Sequence, residues 1–243
     1  SYCFWDREGT WHCGPSISPE NAFMAEGKKR FTEIDIPFER SAIRGLLESW
    51  LECVGEDESE KVRKVRELLE TWGTVFVEPD GTLAEFGNEF PVYDSQHRHM
   101  SHLLGLFPYR QILPGTKEGE AARASIRRRL TPYENWEDTG WARSMQLLYS
   151  ARLGDGESAG FHVNETLRKL TNQNGLVMHP PTRGADSFAP VWELDGNTGL
   201  AMGIAEMLLQ GDGKEIILLP ALPPAWTEGR FEGLGVRGGL TVS

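Results

Sequence analysis

The chain has 243 residues, 39% hydrophobic and 25% charged, an ordinary balance for a globular protein with a sizeable core. Its formal charge of −11 argues against a nucleic-acid or anionic-membrane surface, because phosphate recognition needs a net basic stripe. No apolar run approaches the roughly 20 residues of a membrane span. The start, SYCFWDREGTW, lacks a basic region followed by an apolar stretch, so no signal peptide is read, and the non-Met first residue suggests a piece of something longer. Cys3, Cys13 and Cys53 have no metal-type spacing, and neither a disulfide framework nor a Cys3–Cys13 bridge across a hairpin is expected.

Taken in order, Cys3 to Trp11 alternates around Glu8-Gly9 and reads as a hairpin. Pro15-Ser-Ile-Ser-Pro-Glu20-Asn21 reads as a fixed loop that delivers Glu20, and Glu26-Gly27 as a second hairpin turn. From Pro37 the period becomes helical. Ile43, Leu46, Leu47, Trp50, Leu51 and Val54 make one amphipathic helix closed by Gly55, and Val62, Val65, Leu68, Leu69 and Trp72 a second closed by Gly73. Further helices are expected over 118–130, 141–153 and 156–170, with a sixth behind the turn signal Asp195-Gly196-Asn197. That last helix, Leu200 to Leu209, is apolar on almost every face and is expected to be buried, capped by Asp195, Asn197 or Thr198. After Gly211 the pattern turns to strands, with EIILLP as a buried one and GLGVRGGLTVS as alternating. The reading is mainly α: a helical domain over 1–211, then 212–243 as the start of a β domain.

The long loops 73–117, 131–140 and 171–198 carry the unusual residues, and loops of that length in a helical domain are usually functional. The first holds Asp94-Ser-Gln-His97-Arg98-His99-Met-Ser-His102, which in extended geometry sets His97 and His99 on one face. A metal reading is weakened by Arg98 between the histidines and by the lack of an HExxH or Cys pattern, so neither metal nor cofactor is expected. Glu137 and Asp138 precede a helix, and Asp138 or Thr139 reads as its N-cap. Two carboxylates on separate loops, Glu20 and Asp195, together with histidines, an arginine and eight Trp, suit glycosidic cleavage.

PSISPEN at 15–21, HRHMSHLLGLFP at 97–108, TGWARSMQLLYSARLGDGESA at 139–159, HPP at 179–181, DGNTGLAMGIAEMLLQ at 195–210 and LLPALPPAWTEGRFEGLGVRGG at 218–239 together resemble glycoside hydrolase family 95. That resemblance implies the later part of an (α/α)6 barrel followed by a β domain. It also implies an inverting, exo-acting α-L-fucosidase working on fucosylated oligosaccharides or polysaccharides. Rivals are an α-L-galactosidase on the same scaffold, an inactive carbohydrate-binding module and a zinc hydrolase. By the resemblance Glu20 is the general acid, and Asp195 orients two asparagines that activate water. Arg98 and His99 contact the sugar, with His97 and Asn197 beside them. In the family those asparagines belong to an N-x-N motif followed by Q-M-N-Y-W-P, upstream of the SPEN loop, and no such stretch occurs in these residues, so this fragment alone is expected to be inactive. Polymer-degrading relatives are often exported, but the sequence fixes no compartment. Two departures stand out. Glu193 replaces a family Gln and should raise the pKa of itself or of Asp195 if both point inward, and Ala84-Glu85-Phe86 stands where Gln-Glu-Trp is common. An acid also needs a protonated carboxyl, so Glu20 is expected to lie buried against Trp or Phe.

Overall fold

The computed structural model describes residues 2–87, 90–133, 136–180 and 191–243. Glu134 and Asn135 of the 131–140 loop, Pro181 of HPP and the stretch to Pro190 lie outside them. The chain divides into two compact units, Ser1–Asn135 and Trp136–Ser243. Six α-helices and short antiparallel strand pairs make up the regular structure among the described residues. None of these helices is long and apolar enough to cross a membrane.

The first unit opens with β1 (Cys3–Trp5) and β2 (Trp11–Cys13), paired with Cys3 opposite Cys13, and all three cysteines are free thiols. Then β3 (Ser16–Ile17) pairs with β6 (Thr32–Glu33), enclosing the hairpin of β4 (Phe23–Ala25) and β5 (Lys28–Arg30). Glu26 and Gly27 turn that hairpin with φ of 52° and 71°, the double positive φ that matches strand twist in a two-residue loop. Phe23 packs with Ile36 and Phe86 in the core beneath.

Helix α1 (Pro37–Val54) starts on a proline whose missing N–H costs nothing there, and it stops at Gly55 with φ 63°. Its deeply buried residues are Pro37, Arg40, Ser41 and Gly45, not the apolar stripe, and Leu46 is exposed. Arg40 tolerates burial because Asp35 Oδ1 accepts from it at 3.0 Å, the Gly73 carbonyl accepts from its Nε, and its guanidinium lies 4.0 Å over the Trp72 ring. Gly45 is buried because a Cβ there would sit 2.3 Å from the Tyr109 ring. Ser59 caps α2 (Glu60–Thr71), and Thr116 caps α3 (Lys117–Arg129) through the Gly119 N–H at 3.0 Å. Acidic residues in the first turn of α3 and Arg127 to Arg129 in its last turn both suit the helix dipole.

The N-terminal hairpin carries a pH-dependent lock. His12 lies between two carboxylates, with Nδ1 2.5 Å from Asp35 Oδ2 and Nε2 3.1 Å from Asp6 Oδ2. Hydrogen bonding to Asp35, then to Asp6, raises its pKa above the ordinary histidine value. A raised folded pKa means the contribution is complete below the ordinary value of 6.5 and is lost as pH climbs through the raised one. Amide hydrogen exchange at Thr10 and Gly14, corrected for the intrinsic rate, should therefore lose protection as pH rises above the ordinary histidine range. In His12→Asn that pH dependence should vanish.

In the second unit α4 (Gly140–Arg152) is capped by Thr139, as read from sequence, through the Ala142 N–H at 3.2 Å. Asp155 caps α5 (Gly156–Glu165), which runs on as a wider turn over Thr166–Leu170. Strands β7 (Met178–His179) and β8 (Val191–Trp192) pair and lead into α6 (Leu194–Leu208). Leu147, Ala151, Ala159, Val163, Met207 and Ala221 form the core between α4, α5 and α6.

Three expectations need correcting here. Helix α6 begins at Leu194, so Asp195, Gly196 and Asn197 form its first turn instead of a turn before it. Its N-cap position is Glu193, which makes no side-chain cap. Nor is α6 buried all round. It meets α4 along Gly199 and Gly203, where a Cβ would lie 2.8 Å from Ser144 and 2.4 Å from Leu147, while Leu194 and Met202 on its other side are exposed. Glycines let the two helices approach closely, and the buried residues of α6 are Gly196, Gly203, Glu206 and Met207. Finally, β9 (Leu209–Gly211) pairs with β10 (Ile216–Leu218), but Ile216 to Leu219 are exposed, since a two-stranded ribbon covers little of its own apolar surface. The last pair, β11 (Leu234–Val236) and β12 (Leu240–Val242), turns through Gly238 and Gly239, both at positive φ.

Candidate active site

Each unit holds one cluster of the residues singled out by sequence. In the first, Glu20 sits on a turn with φ 56°, a left-handed conformation that a non-glycine residue holds only when its surroundings fix it. Its neighbours Ser18 and Asn21 point inward and are buried, which turns the Glu20 side chain outward, 54% exposed. Arg98 Nη2 donates to Glu20 Oε2 over 2.5 Å, His99 Nε2 is 3.2 Å from the same oxygen and His97 Nε2 is 3.9 Å away. The expected apolar wall of Trp or Phe is thus replaced by two imidazoles and a guanidinium, because the loop spends its inward positions on polar contacts.

His97 and His99 do share a face, with ring centroids 5.0 Å apart. Nδ1 of His97 accepts the His99 backbone N–H at 3.1 Å, so in the neutral ring the proton is on Nε2, the nitrogen directed toward Glu20. Burial, helped by the charges of Arg98 and Arg129, lowers the His97 pKa and keeps it in that neutral form near pH 7. Among the described residues no group of three or more His, Cys, Asp or Glu is arranged to hold a metal ion. His102, third of the series, faces the other way: it is buried and its Nδ1 contacts Glu85 Oε2.

Glu85 is the residue to which sequence reading gave no role. Its carboxylate, 1% exposed, accepts from Ser18 Oγ, from Asn21 Nδ2 at 3.3 Å and from Arg129 Nη2 at 2.8 Å. Burial alone would push this carboxyl up, but the His102 and Arg129 charges and the Ser18 hydroxyl outweigh it and hold the carboxyl well below the usual carboxylate range. Arg129 also donates to the carbonyls of Asp94 at 3.0 Å and His97 at 3.2 Å, and Asn21 Nδ2 to that of His99 at 3.3 Å. The available signal was a lone carboxylate in the otherwise apolar run Leu83-Ala84-Glu85-Phe86.

In the second unit Asp195 is exposed in the first turn of α6, and its Oδ1 accepts from the Gly196 N–H at 3.0 Å. Asn197 is engaged with its own unit: Oδ1 accepts from the Val177 N–H at 2.9 Å and Trp192 Nε1 at 2.7 Å, and Nδ2 donates to the Gly175 carbonyl at 3.1 Å. Those bonds fasten the turn before β7 to α6, which is a structural use of an amide that sequence reading placed on the sugar. Glu193 Oε2 accepts the Trp141 N–H at 2.8 Å, joining the starts of α4 and α6.

Residues 1–208 match the Glycosyl hydrolase family 95 catalytic domain, and residues 210–243 match the Glycoside hydrolase family 95, C-terminal domain. The chain belongs to glycoside hydrolase family 95. Alpha-L-fucosidase 2 of Arabidopsis thaliana is 29% identical over 98% of the chain and 28% of its own length. Probable alpha-fucosidase A of Aspergillus oryzae is 24% identical over 96% of the chain and 34% of its own length, and its Aspergillus niger namesake 25% over 95% and 29%. The chain therefore spans about a third or less of these curated relatives.

Within this family 95 chain, the half-buried carboxyl of Glu193 has a measurable cost. Burial raises its pKa above the ordinary glutamate value, with the Asp195 charge adding to the rise and the Trp141 N–H and His179 opposing it. The pair does not lie along one extended face, since Glu193 is extended and Asp195 helical. A raised acid pKa means that stability falls as pH rises past the ordinary glutamate range. Glu193→Gln keeps an acceptor for Trp141 and removes the charge, so it should raise the unfolding free energy at neutral pH by on the order of 1 kcal/mol or less, and the melting temperature with it. The gain should disappear at about pH 4, where both side chains are neutral. Calorimetry of the two proteins at both pH values checks this.

Proposed function

We propose that this chain is the part of an inverting α-L-fucosidase that carries its proton donor and its water-orienting aspartate. The observation that carries the reading is Glu20, displayed outward on a fixed left-handed turn with Arg98 and His99 on its carboxylate. That arrangement suits a sugar site: an acid beside donors able to take over the hydroxyls of a bound residue. When the sugar engages Arg98 and His99, Glu20 is released from the guanidinium and is free to carry the proton that the leaving glycosidic oxygen receives. His97, neutral and with its Nε2–H toward Glu20, is a further donor to a sugar hydroxyl.

Asp195 orients the two asparagines that activate the attacking water, and water enters at the anomeric carbon from the face opposite the departing oxygen. Those asparagines are not among these 243 residues, so the chain by itself is read as inactive. The reading includes a partial (α/α)6 barrel to residue 211 and the beginning of a β domain from 212. It takes fucosylated oligosaccharides or polysaccharides as the substrate, in line with the names of the three relatives.

The test is to follow the complete protein on a fucosylated oligosaccharide by proton NMR, with nitrophenyl α-L-fucoside and α-L-galactoside assayed alongside. The reading expects β-L-fucose as the first sugar formed and faster turnover of the fucoside. First release of the α anomer would overturn the inverting course. A preference for the galactoside would move the assignment to an α-L-galactosidase.

A further inference from the structure

We infer that Glu85 is a positioning residue of this site, the buried carboxylate that, with Asn21 and Arg129, fixes the acid-bearing loop and the sugar-contacting loop in a common frame. The inference rests on the reading of Glu20 as proton donor. Glu20 and Glu85 do not need to touch for this to hold. Ser18 and Asn21, two residues before and one residue after Glu20, are both bonded to Glu85 Oε1. The loop of Arg98 is tied in twice: Asn21 Nδ2 reaches the His99 carbonyl, and Arg129, itself paired with Glu85 Oε2, reaches the carbonyls of Asp94 and His97. His102, at the far end of the same loop, closes onto Glu85 Oε2 as well. One buried carboxylate therefore meets both loops, and nearly all its acceptor capacity is used.

The turn at Glu20 is the reason such an anchor matters. A left-handed glutamate relaxes unless its neighbours hold it, and a shift on the order of 1 Å in a reacting group costs about 100-fold in rate. Neutralising Glu85 weakens its bonds to Ser18, Asn21 and Arg129 at once, because a charged acceptor binds donors about twice as strongly as a neutral one.

The experiment compares Glu85→Gln, Glu20→Gln and the double variant in the complete protein, using turnover of a fucosylated oligosaccharide and the pH dependence of kcat. Glu85→Gln should lower kcat by about 10- to 100-fold and shift the limb of the profile set by Glu20. Because it acts through Glu20, the double variant should be no slower than Glu20→Gln alone. Turnover within about twofold of wild type for Glu85→Gln, or losses that multiply in the double variant, would overturn the inference. Should Glu85→Gln fail to fold, Asn21→Ala takes its place. It removes the bridge between Glu85 and the His99 carbonyl while leaving the Glu85–Arg129 pair, and the same non-additivity is required of it. Normal turnover in Glu20→Gln would sink the proton-donor reading and this inference with it. A dead Glu20→Gln beside a fully active Glu85→Gln would sink the positioning role alone.

Discussion

Glu20→Gln in the complete protein should lower kcat on a fucosylated oligosaccharide by about 10²- to 10⁴-fold, the range that a positioned general acid contributes. The substitution keeps the size of the side chain and an acceptor for Arg98 and His99, so the sugar site should survive and KM should move little. What is lost is the proton. An alkoxide of a sugar is a poor leaving group and needs that proton, whereas nitrophenolate departs without it. The loss should therefore be large on the oligosaccharide and far smaller on nitrophenyl fucoside. Steady-state kinetics on the two substrates makes the distinction, and equal losses would remove Glu20 from the acid role even if both were severe.

The largest stability effect is expected at Arg143, whose side chain is fully buried in α4. It pairs with both oxygens of Asp138, donates to His162 Nδ1 at 3.1 Å and lies 4.9 Å over the Trp136 ring. A guanidinium can only donate, so His162 Nδ1 is an acceptor and the neutral ring keeps its proton on Nε2. Burial, then the Arg143 charge, lower the His162 pKa to about 3.

Arg143→Met leaves Asp138 without its partner and His162 without its donor. Breaking a buried ion pair costs about 3 to 5 kcal/mol, and the lower figure is expected because Asp138 keeps some contact with water. Against a whole-domain stability of about 5 to 15 kcal/mol, that leaves the second unit marginal, as urea titration should show. The same variant carries a second readout. With the Arg143 charge gone, His162 should titrate higher than about 3, yet still below an exposed histidine because burial remains. NMR titration of the ring reads this directly. The depressed value also has a sign for the parent chain: it supports folding above the ordinary histidine range, and the support is lost as pH falls from 6.5 toward 3.

Much of the local architecture was legible because local rules write it. The 3.6-residue period of Ile43, Leu47 and Leu51 marks α1, Gly55 ends it, and Glu26-Gly27 demands its hairpin turn. The candidate residues were legible too: Glu20, Arg98 and His99 do come together. Their sequence signals are short, two stretches with residue types that rarely cluster by chance.

The rest depended on partners distant in the chain. Nothing near Asn197 in sequence says that its amide will be taken by the N–H of Val177, twenty residues back, and nothing near Glu193 says that it will join the Trp141 N–H. By itself the sequence determined where helices and turns form and which side chains can carry acid chemistry, since backbone period and functional-group identity are properties of neighbouring residues. Only the tertiary structure decided that α6 buries Gly203, Glu206 and Met207 while Leu194 and Met202 stay exposed, and that Glu85 bonds Asn21, 64 residues away in the chain. The physical reason is that burial and hydrogen-bond pairing are settled by which surfaces meet, and a lone polar residue acquires its role when the fold brings its partners within about 3 Å.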